Sequence, residues 1–213
     1  MYSLDALKGV ARAAIFVCTV AATSLSGSEI AYADALSRVT VGAPAPMFSA
    51  RGADGQQHRL SDYAGKLVVL EWTSPVCPFT AMKYKSGVMQ ALQKYAVSQR
   101  VVWLSIDTAA PGRAGYLSAA AARARIAETK AHVTAFLFDP DGRIGRSFGA
   151  KTTPSFFLID RDGKLAYEGA MNEDIYDNRP DGADYIRPAL DDLLAGRPVK
   201  VPETQPQGCA IEY

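Results

Sequence analysis

The stretch Lys66-Leu67-Val68-Val69-Leu70-Glu71-Trp72 constrains this chain more than any other feature. A near-continuous apolar run with paired valines reads as a strand buried on both faces, which requires helices above and below its sheet. The run passes through Thr73-Ser74-Pro75-Val76 into Cys77-Pro78, and the period then changes. From Ala81 onward, Ala81, Tyr84, Val88, Leu92 and Tyr95 share one helical face, so a single helix is expected there. Gly87 weakens it by about 1 kcal/mol relative to alanine. Cys77 is therefore expected where a strand delivers the chain to a helix N-terminus. Pro78 suits the first helical position, because the N–H it lacks would have no partner there. The first-turn amides and the helix dipole favour thiolate over thiol and lower the reference pKa of about 8.5. The thiolate is the nucleophile for both disulfide exchange and peroxide attack. Taken alone, Cys77 also reads as a small buried hydrophobe.

The remaining pattern supplies the layers. Residues 39–48 form a proline-interrupted lead-in, Asp54-Gly55 marks a hairpin, and residues 60–63 end near Gly65. Residues 101–106 read as a second buried strand, 116–130 as an Ala- and Arg-rich helix, and 135–138 and 156–159 as short apolar strands. Asp162-Gly163 turns the chain into a further strand over 165–167. Asp184 can cap a last helix over 185–195, with Pro188 in its first turn and Gly196 after its end. Residues 197–213 contain three prolines and read as an extended tail. The order β-α-β-α-β-β-α after a β lead-in predicts an α/β protein. It is a three-layer α/β/α sandwich whose mixed central sheet is parallel in part and antiparallel at one end.

At the N-terminus, Lys8 and Arg12 precede an apolar run over 13–22, and Ala31-Tyr32-Ala33 gives a small-x-small pattern before Asp34. This is the layout of a secretory signal, and the run is too short to span a bilayer. The expected division is a signal peptide over 1–33, one domain over 34–196 and a tail over 197–213 carrying Cys209. The protein is expected to be exported, periplasmic or secreted, with N-terminal membrane anchoring as the alternative. A frayed cytosolic N-terminus is the plain reading of the same residues. Cleavage removes Cys18 and leaves Cys77 and Cys209 in an oxidising compartment, where two thiols are a candidate disulfide. The formal net charge is +1 with no basic block, so no nucleic-acid or lipid-headgroup partner is indicated, nor any stable membrane insertion after cleavage.

Lys151-Thr152-Thr153-Pro154-Ser155 precedes the apolar run Phe156-Phe157-Leu158-Ile159. A cysteine at a strand-to-helix turn followed by a Thr-Pro before a hairpin strand resembles the thioredoxin fold. The segment DGQQHRLSDYAGKLVVLEWTSPVCPFTAMKY resembles the start of redoxin and AhpC/TSA domains. TTPSFFLIDRDGKLAYEGAMNED and LAGRPVKVPETQPQGCAIEY resemble the middle and end of the peroxiredoxin-like branch, and the likeness covers about residues 40–213. The resemblance implies thiol-based redox chemistry with a protein thiol or disulfide, or a small peroxide, as partner. It implies no cofactor and no metal, and does not set the oligomeric state. It makes Cys77 the nucleophile and Cys209, on a flexible tail 132 positions later, the resolving thiol. Ser74 and Thr80 become hydrogen-bonding neighbours of the thiolate, and Trp72, Thr153 and Pro154 line a substrate groove, with the Thr153–Pro154 bond cis. The family pattern is incomplete. Leu70 stands where peroxiredoxins have proline, none of Arg143, Arg146 and Arg161 falls at the peroxide-orienting arginine position, and Thr80 stands where a second cysteine is usual.

Two other readings of the pair stay open: thiols that never meet, and a non-catalytic thioredoxin-fold binding module. In the module a permanent Cys77–Cys209 disulfide would be a clip contributing about 5 kcal/mol by loop-closure entropy. His58 and His132 lack ligand spacing to any cysteine and suit turn and helix-end roles. Glu71 reads as a solvated edge position, with a proton relay as the sharper alternative. Asn172-Glu173-Asp174 with Asp177 reads as a solvated acidic loop, with a cation site as the alternative.

Overall fold

The computed structural model describes residues 38–176 and 184–213; the expected leader over 1–33 and Asp177 lie outside the described residues. Nine strands are assigned in this part of the chain: β1 (Ser49–Gly52), β2 (Gln57–Arg59), β3 (Val68–Thr73), β4 (Val102–Asp107), β5 (Ala135–Phe138), β6 (Thr152–Thr153), β7 (Ser155–Ile159), β8 (Leu165–Gly169) and β9 (Cys209–Ala210). The helices are α1 (Pro78–Lys85), α2 (Val88–Ser98), α3 (Ala119–Thr129), α4 (Arg143–Phe148) and α5 (Ile186–Leu194).

Seven strands form one sheet in the order β2-β1-β5-β4-β3-β7-β8. The central β5-β4-β3 pairs are parallel, and β7, β8, β1 and β2 add antiparallel partners. The sheet is thus antiparallel at both ends, because the Asp54-Gly55 hairpin joins the strand β1 pairs with β5 rather than standing apart. One face of the sheet packs Val69, Trp103, Phe156 and Leu158 against Met89 and Leu92 of α2 and Ile186 and Leu190 of α5. Ala122 of α3 meets Phe136 on the same side. The other face packs Leu70, Trp72, Ile106 and Leu137 against Ile144 and Phe148 of α4 and the lead-in residues Val39 and Ala45. Helices on both faces explain why all six residues of β3 and of β4 are buried. At roughly 25 cal/mol per Å² of apolar surface, burying a side chain the size of Trp72 or Trp103 stabilises the fold by several kcal/mol.

Three local expectations change. The helix expected to run from Ala81 past Tyr95 is two helices, because Gly87 adopts φ +85 and serves as the N-cap of α2. The left-handed conformation is open to glycine at no Cβ cost and breaks the α1 ladder there. The last helix starts at Ile186, yet Asp184 still caps it: its Oδ1 accepts from the N–H groups of Ile186 at 3.1 Å and Arg187 at 3.3 Å. Glu71 is 0 % exposed, not at a solvated edge, because β3 lies between β4 and β7.

The tail is extended, as expected, and it is held along its length. Glu168 N–H donates to the Pro202 carbonyl at 3.0 Å and Thr204 N–H donates to the Glu168 carbonyl at 3.0 Å. Further on, β9 pairs antiparallel with β6, with Cys209 opposite Thr153. Tyr213 anchors the end. Its hydroxyl donates to the Ala150 carbonyl, and the Arg146 guanidinium lies 4.7 Å from its ring centre. Among the described residues no helix is long and apolar enough to cross a membrane.

Candidate active site

β3 ends at Thr73, and the chain turns through Ser74-Pro75-Val76, with the Cys77 N–H donating to the Ser74 carbonyl at 3.3 Å. Cys77 is the N-cap of α1, in extended conformation, with Pro78 at the first helical position. The expected strand-to-helix placement of the sulfur is what is observed. The side chain is 1 % exposed, and its Sγ donates to the Thr153 carbonyl at 2.9 Å. The Thr153–Pro154 bond is cis, and both residues are buried.

The tail completes the site. The β6–β9 ladder sets Cys209 beside Cys77, with no disulfide between them. Gly208 makes this approach possible: it holds φ +146, and a Cβ there would collide with the Thr153 carbonyl and stand 3.2 Å from the Pro154 nitrogen. Only glycine combines that backbone conformation with so close a passage.

The two sulfurs are shifted in opposite directions. For Cys77, burial opposes ionisation, but hydrogen bonds from the Cys209 thiol, the Thr153 side chain and the backbone N–H groups of Thr80 and Cys209 outweigh it and hold the thiol below its ordinary value. As a neutral thiol, Cys77 makes no side-chain cap bond to α1, so these donors act on the thiolate. The Thr153 carbonyl is the one contact that favours the thiol form, since an oxygen of that kind can only accept. Burial, followed by the hydrogen bond and charge of Cys77, pushes Cys209 up to about 11. The surroundings therefore favour the anion at Cys77 and the thiol at Cys209.

The other expected site residues are distributed around this pair. Ser74 lines the same cleft, but it meets Cys77 through its backbone carbonyl. Thr80 is fully buried, its Oγ1 has no hydrogen-bond partner among the described residues, and its N–H favours the Cys77 thiolate. Trp72, expected along the groove, is a core residue instead. Its ring lies 5.1 Å from that of Phe157 and 5.7 Å from that of Phe148, and its indole N–H donates to Thr108 Oγ1 at 3.2 Å. Its place in β3 points it into the layer under α4.

A cleft of about 210 Å³ opens beside the sulfurs, walled by Thr73, Ser74, Val76, Cys77, Asp107, Arg113, Thr153 and Cys209. A larger groove of about 850 Å³ runs between Met47, Tyr116 and Arg143 and contains neither cysteine, so size does not mark the chemistry. Asp107 ends β4 directly beside Thr73 of β3. It is 2 % exposed, and burial pushes its carboxyl up to about 7, with Arg125 pulling the other way. Sequence reasoning passed over it. The available signal was an acid closing an apolar strand next to the strand that leads to the thiol.

Glu71 is a second buried acid, and its environment is different. Its Oε2 accepts from Ser105 Oγ at 2.7 Å, Trp103 Nε1 at 2.8 Å and Gln93 Nε2 at 3.2 Å, while Oε1 accepts from the Tyr84 hydroxyl at 3.3 Å. Burial still raises its pKa, with those four donors opposing. The expected solvated loop is also anchored: Lys83 Nζ donates to Asn172 Oδ1 and to the Asp174 carbonyl, each at 2.8 Å. His58 lies between Tyr63 and Asp54, and among the described residues no cluster of three or more His, Cys, Asp or Glu could hold a metal ion.

Comparison with known proteins bears on this arrangement. The AhpC/TSA family model matches residues 41–168. A hypothetical protein from Sinorhizobium meliloti 1021 superposes with a TM-score of 0.73 at 22% identity, covering 83% of this chain and 96% of its own. An uncharacterized conserved protein from Geobacillus kaustophilus gives 0.69 at 27% identity, covering 82% and 92%. A putative thiol:disulfide interchange protein DsbE from Chlorobium tepidum gives 0.53 at 24% identity, covering 74% and 97%. No curated protein matches the chain. The mixed seven-stranded sheet with helices on both faces is the thioredoxin-like fold of these neighbours.

Proposed function

The chain belongs to the AhpC/TSA family, and on that footing we propose that it is an exported thiol–disulfide oxidoreductase in which Cys77 attacks and Cys209 resolves. The observation that carries this reading is the β6–β9 ladder. It brings the tail thiol against a sulfur whose ionisation is favoured by the donors around it. Cys77 thiolate attacks a disulfide R–S–S–R′, forming Cys77–S–S–R and releasing R′S⁻. Cys209 then attacks the Cys77 sulfur, forming Cys77–S–S–Cys209 and releasing RSH. The protein is oxidised by two electrons and the disulfide is reduced. Returning the pair to dithiol takes a protein thiol of lower potential. Ser74 and Thr80 shape the pocket around the sulfur, and Thr153 and Pro154 form the edge along which the tail lies. The apolar run and Ala31-Tyr32-Ala33 support export.

The test is paired substitution. In Cys77→Ser, reduction of a model disulfide stops. In Cys209→Ser, the reaction halts at a mixed disulfide on Cys77, visible as an added mass. If both variants only lower the melting temperature, by similar amounts, the binding-module reading replaces this one. A hydroperoxide as oxidant is the second reading, favoured by Arg113 and Ser74 on the cleft wall. It predicts a sulfenic acid on Cys77 in Cys209→Ser treated with peroxide.

A further inference from the structure

The resolving step poses a proton problem. Cys209 attacks as a thiolate, yet a thiol of ordinary pKa, about 8.5, carries its proton at neutral pH, and burial of Cys209 opposes ionisation further. A base must take that proton, and the thiolate leaving from Cys77 must acquire one. One buried group in the cleft is fitted for both. Asp107 lines the same walls as Cys77 and Cys209. Among the described residues no hydrogen bond reaches its carboxylate. Asp139, at the end of the next strand, differs. Its carboxylate accepts from the N–H groups of Ile144 at 3.1 Å and Gly145 at 2.9 Å and from Thr108 Oγ1 at 3.0 Å, so its lone pairs are committed. A buried carboxyl that accepts no hydrogen bond costs stability, and its place at the cleft is explained if it exchanges protons there.

We propose that Asp107 is the proton carrier of the exchange: it takes the proton from Cys209 as that sulfur attacks the mixed disulfide and passes it to the departing thiolate. The inference rests on the reading of Cys77 and Cys209 given above. The Cys209–Cys77 S–S bond forms and the Cys77–S–R bond breaks. The electron pair leaves on RS⁻. The proton moves from Cys209 to Asp107, directly or through one water, and then to RS⁻, so RSH departs and Asp107 is ionised again. Burial raises its titration and Arg125 of α3 is the charge that opposes it, while Arg113 and Glu212 stand on the same cleft wall and Asp139 follows the neighbouring strand. With a carboxyl pushed up to about 7, both forms are populated near neutral pH, the condition for a carrier.

The experiment follows the reduced full chain with one equivalent of 5,5′-dithiobis(2-nitrobenzoate). The first aromatic thiolate released reports attack by Cys77, and the second reports resolution by Cys209. Because the aromatic thiolate leaves without needing a proton, the second phase isolates the base role. In Asp107→Asn the first phase stays within about twofold and the second slows by about 100-fold, its inflection near pH 7 vanishes, and Asp107→Glu recovers part of the rate. Arg125→Ala, which keeps the carboxylate, moves the inflection to higher pH and serves if Asp107→Asn does not fold. An unchanged second phase in Asp107→Asn, an equal fall in both phases, or a native second phase with no inflection near pH 7 overturns the proposal. A native protein that releases no second equivalent, or a Cys209→Ser variant that still does, overturns instead the reading beneath it.

Discussion

Cys77 and Cys209 carry the same side chain in two very different settings. Cys77 sits where the central strand meets a helix, fixed by Pro78 and by the buried edge before Pro154. Cys209 sits on a strand of two residues, held by one short ladder and by Tyr213 at the chain end. The rigid setting surrounds its sulfur with donors and favours the anion. The tail setting offers little beyond burial and the neighbouring sulfur, and favours the thiol. The fold therefore gives the two thiols unequal tendencies to ionise, and the proposed roles follow from that difference. It also places the thiol-favoured sulfur on the tail, which is tied to β8, to β6 and, through Tyr213, to the Ala150 carbonyl.

That asymmetry can be broken in stages. Cys77→Ser removes the favoured anion and brings disulfide reduction down to the rate without protein, measured as thiol release from a model disulfide. Cys209→Ser leaves the first attack intact, abolishes the second, and accumulates the mixed disulfide. Gly208→Val changes neither sulfur. It places a β-branched residue at φ +146 against the Thr153 carbonyl, a conformation costing about 1–3 kcal/mol. The expected result is a tail released from β6, resolution slower by about tenfold or more at that cost, and faster alkylation of Cys77, now uncovered.

The smallest effect separates the two buried acids, Glu71 and Asp107. The folded-state value of Asp107 is raised to about 7 from 3.8, so the native protein binds this proton more tightly than the unfolded chain does. Its contribution to stability is complete below pH 3.8 and is lost as pH rises through about 7. Asp107→Asn removes that loss. The variant should melt higher than native at pH 8, by the equivalent of up to about 4 kcal/mol, with the gain shrinking at pH 5. Glu71→Gln should show no such gain. An amide there can keep its oxygen toward Ser105, Trp103 and Gln93, but its NH₂ then faces the Tyr84 hydroxyl, whose O–H loses its acceptor, so the variant melts lower at both values.

Much of this was legible in the chain. The change of period after Trp72, with Pro78 behind Cys77, was enough to place the sulfur at a helix N-terminus, because those signals are local. Glu71 was misread for the opposite reason. A single charge in an apolar strand looks like an edge, and the donors that hydrogen-bond it, Tyr84, Gln93, Trp103 and Ser105, lie up to 34 positions away. α4, with the sequence RIGRSF, is too short for helical periodicity to register. The two-residue β6–β9 ladder has no period at all. Gly208 carried its only trace, a glycine before the tail cysteine. Trp72, beside the site in sequence, reads equally as a groove residue or a plain core residue, and strand alternation, which sends it to the α4 face, decides for the core.

The most direct test is the covalent species formed when the reduced native protein meets one equivalent of oxidised glutathione. Peptide mapping by mass spectrometry should find Cys77 joined to Cys209 and two glutathione thiols released. Glutathione left on Cys77 beside a free Cys209, or an adduct on Cys209 with Cys77 unreacted, would contradict the account.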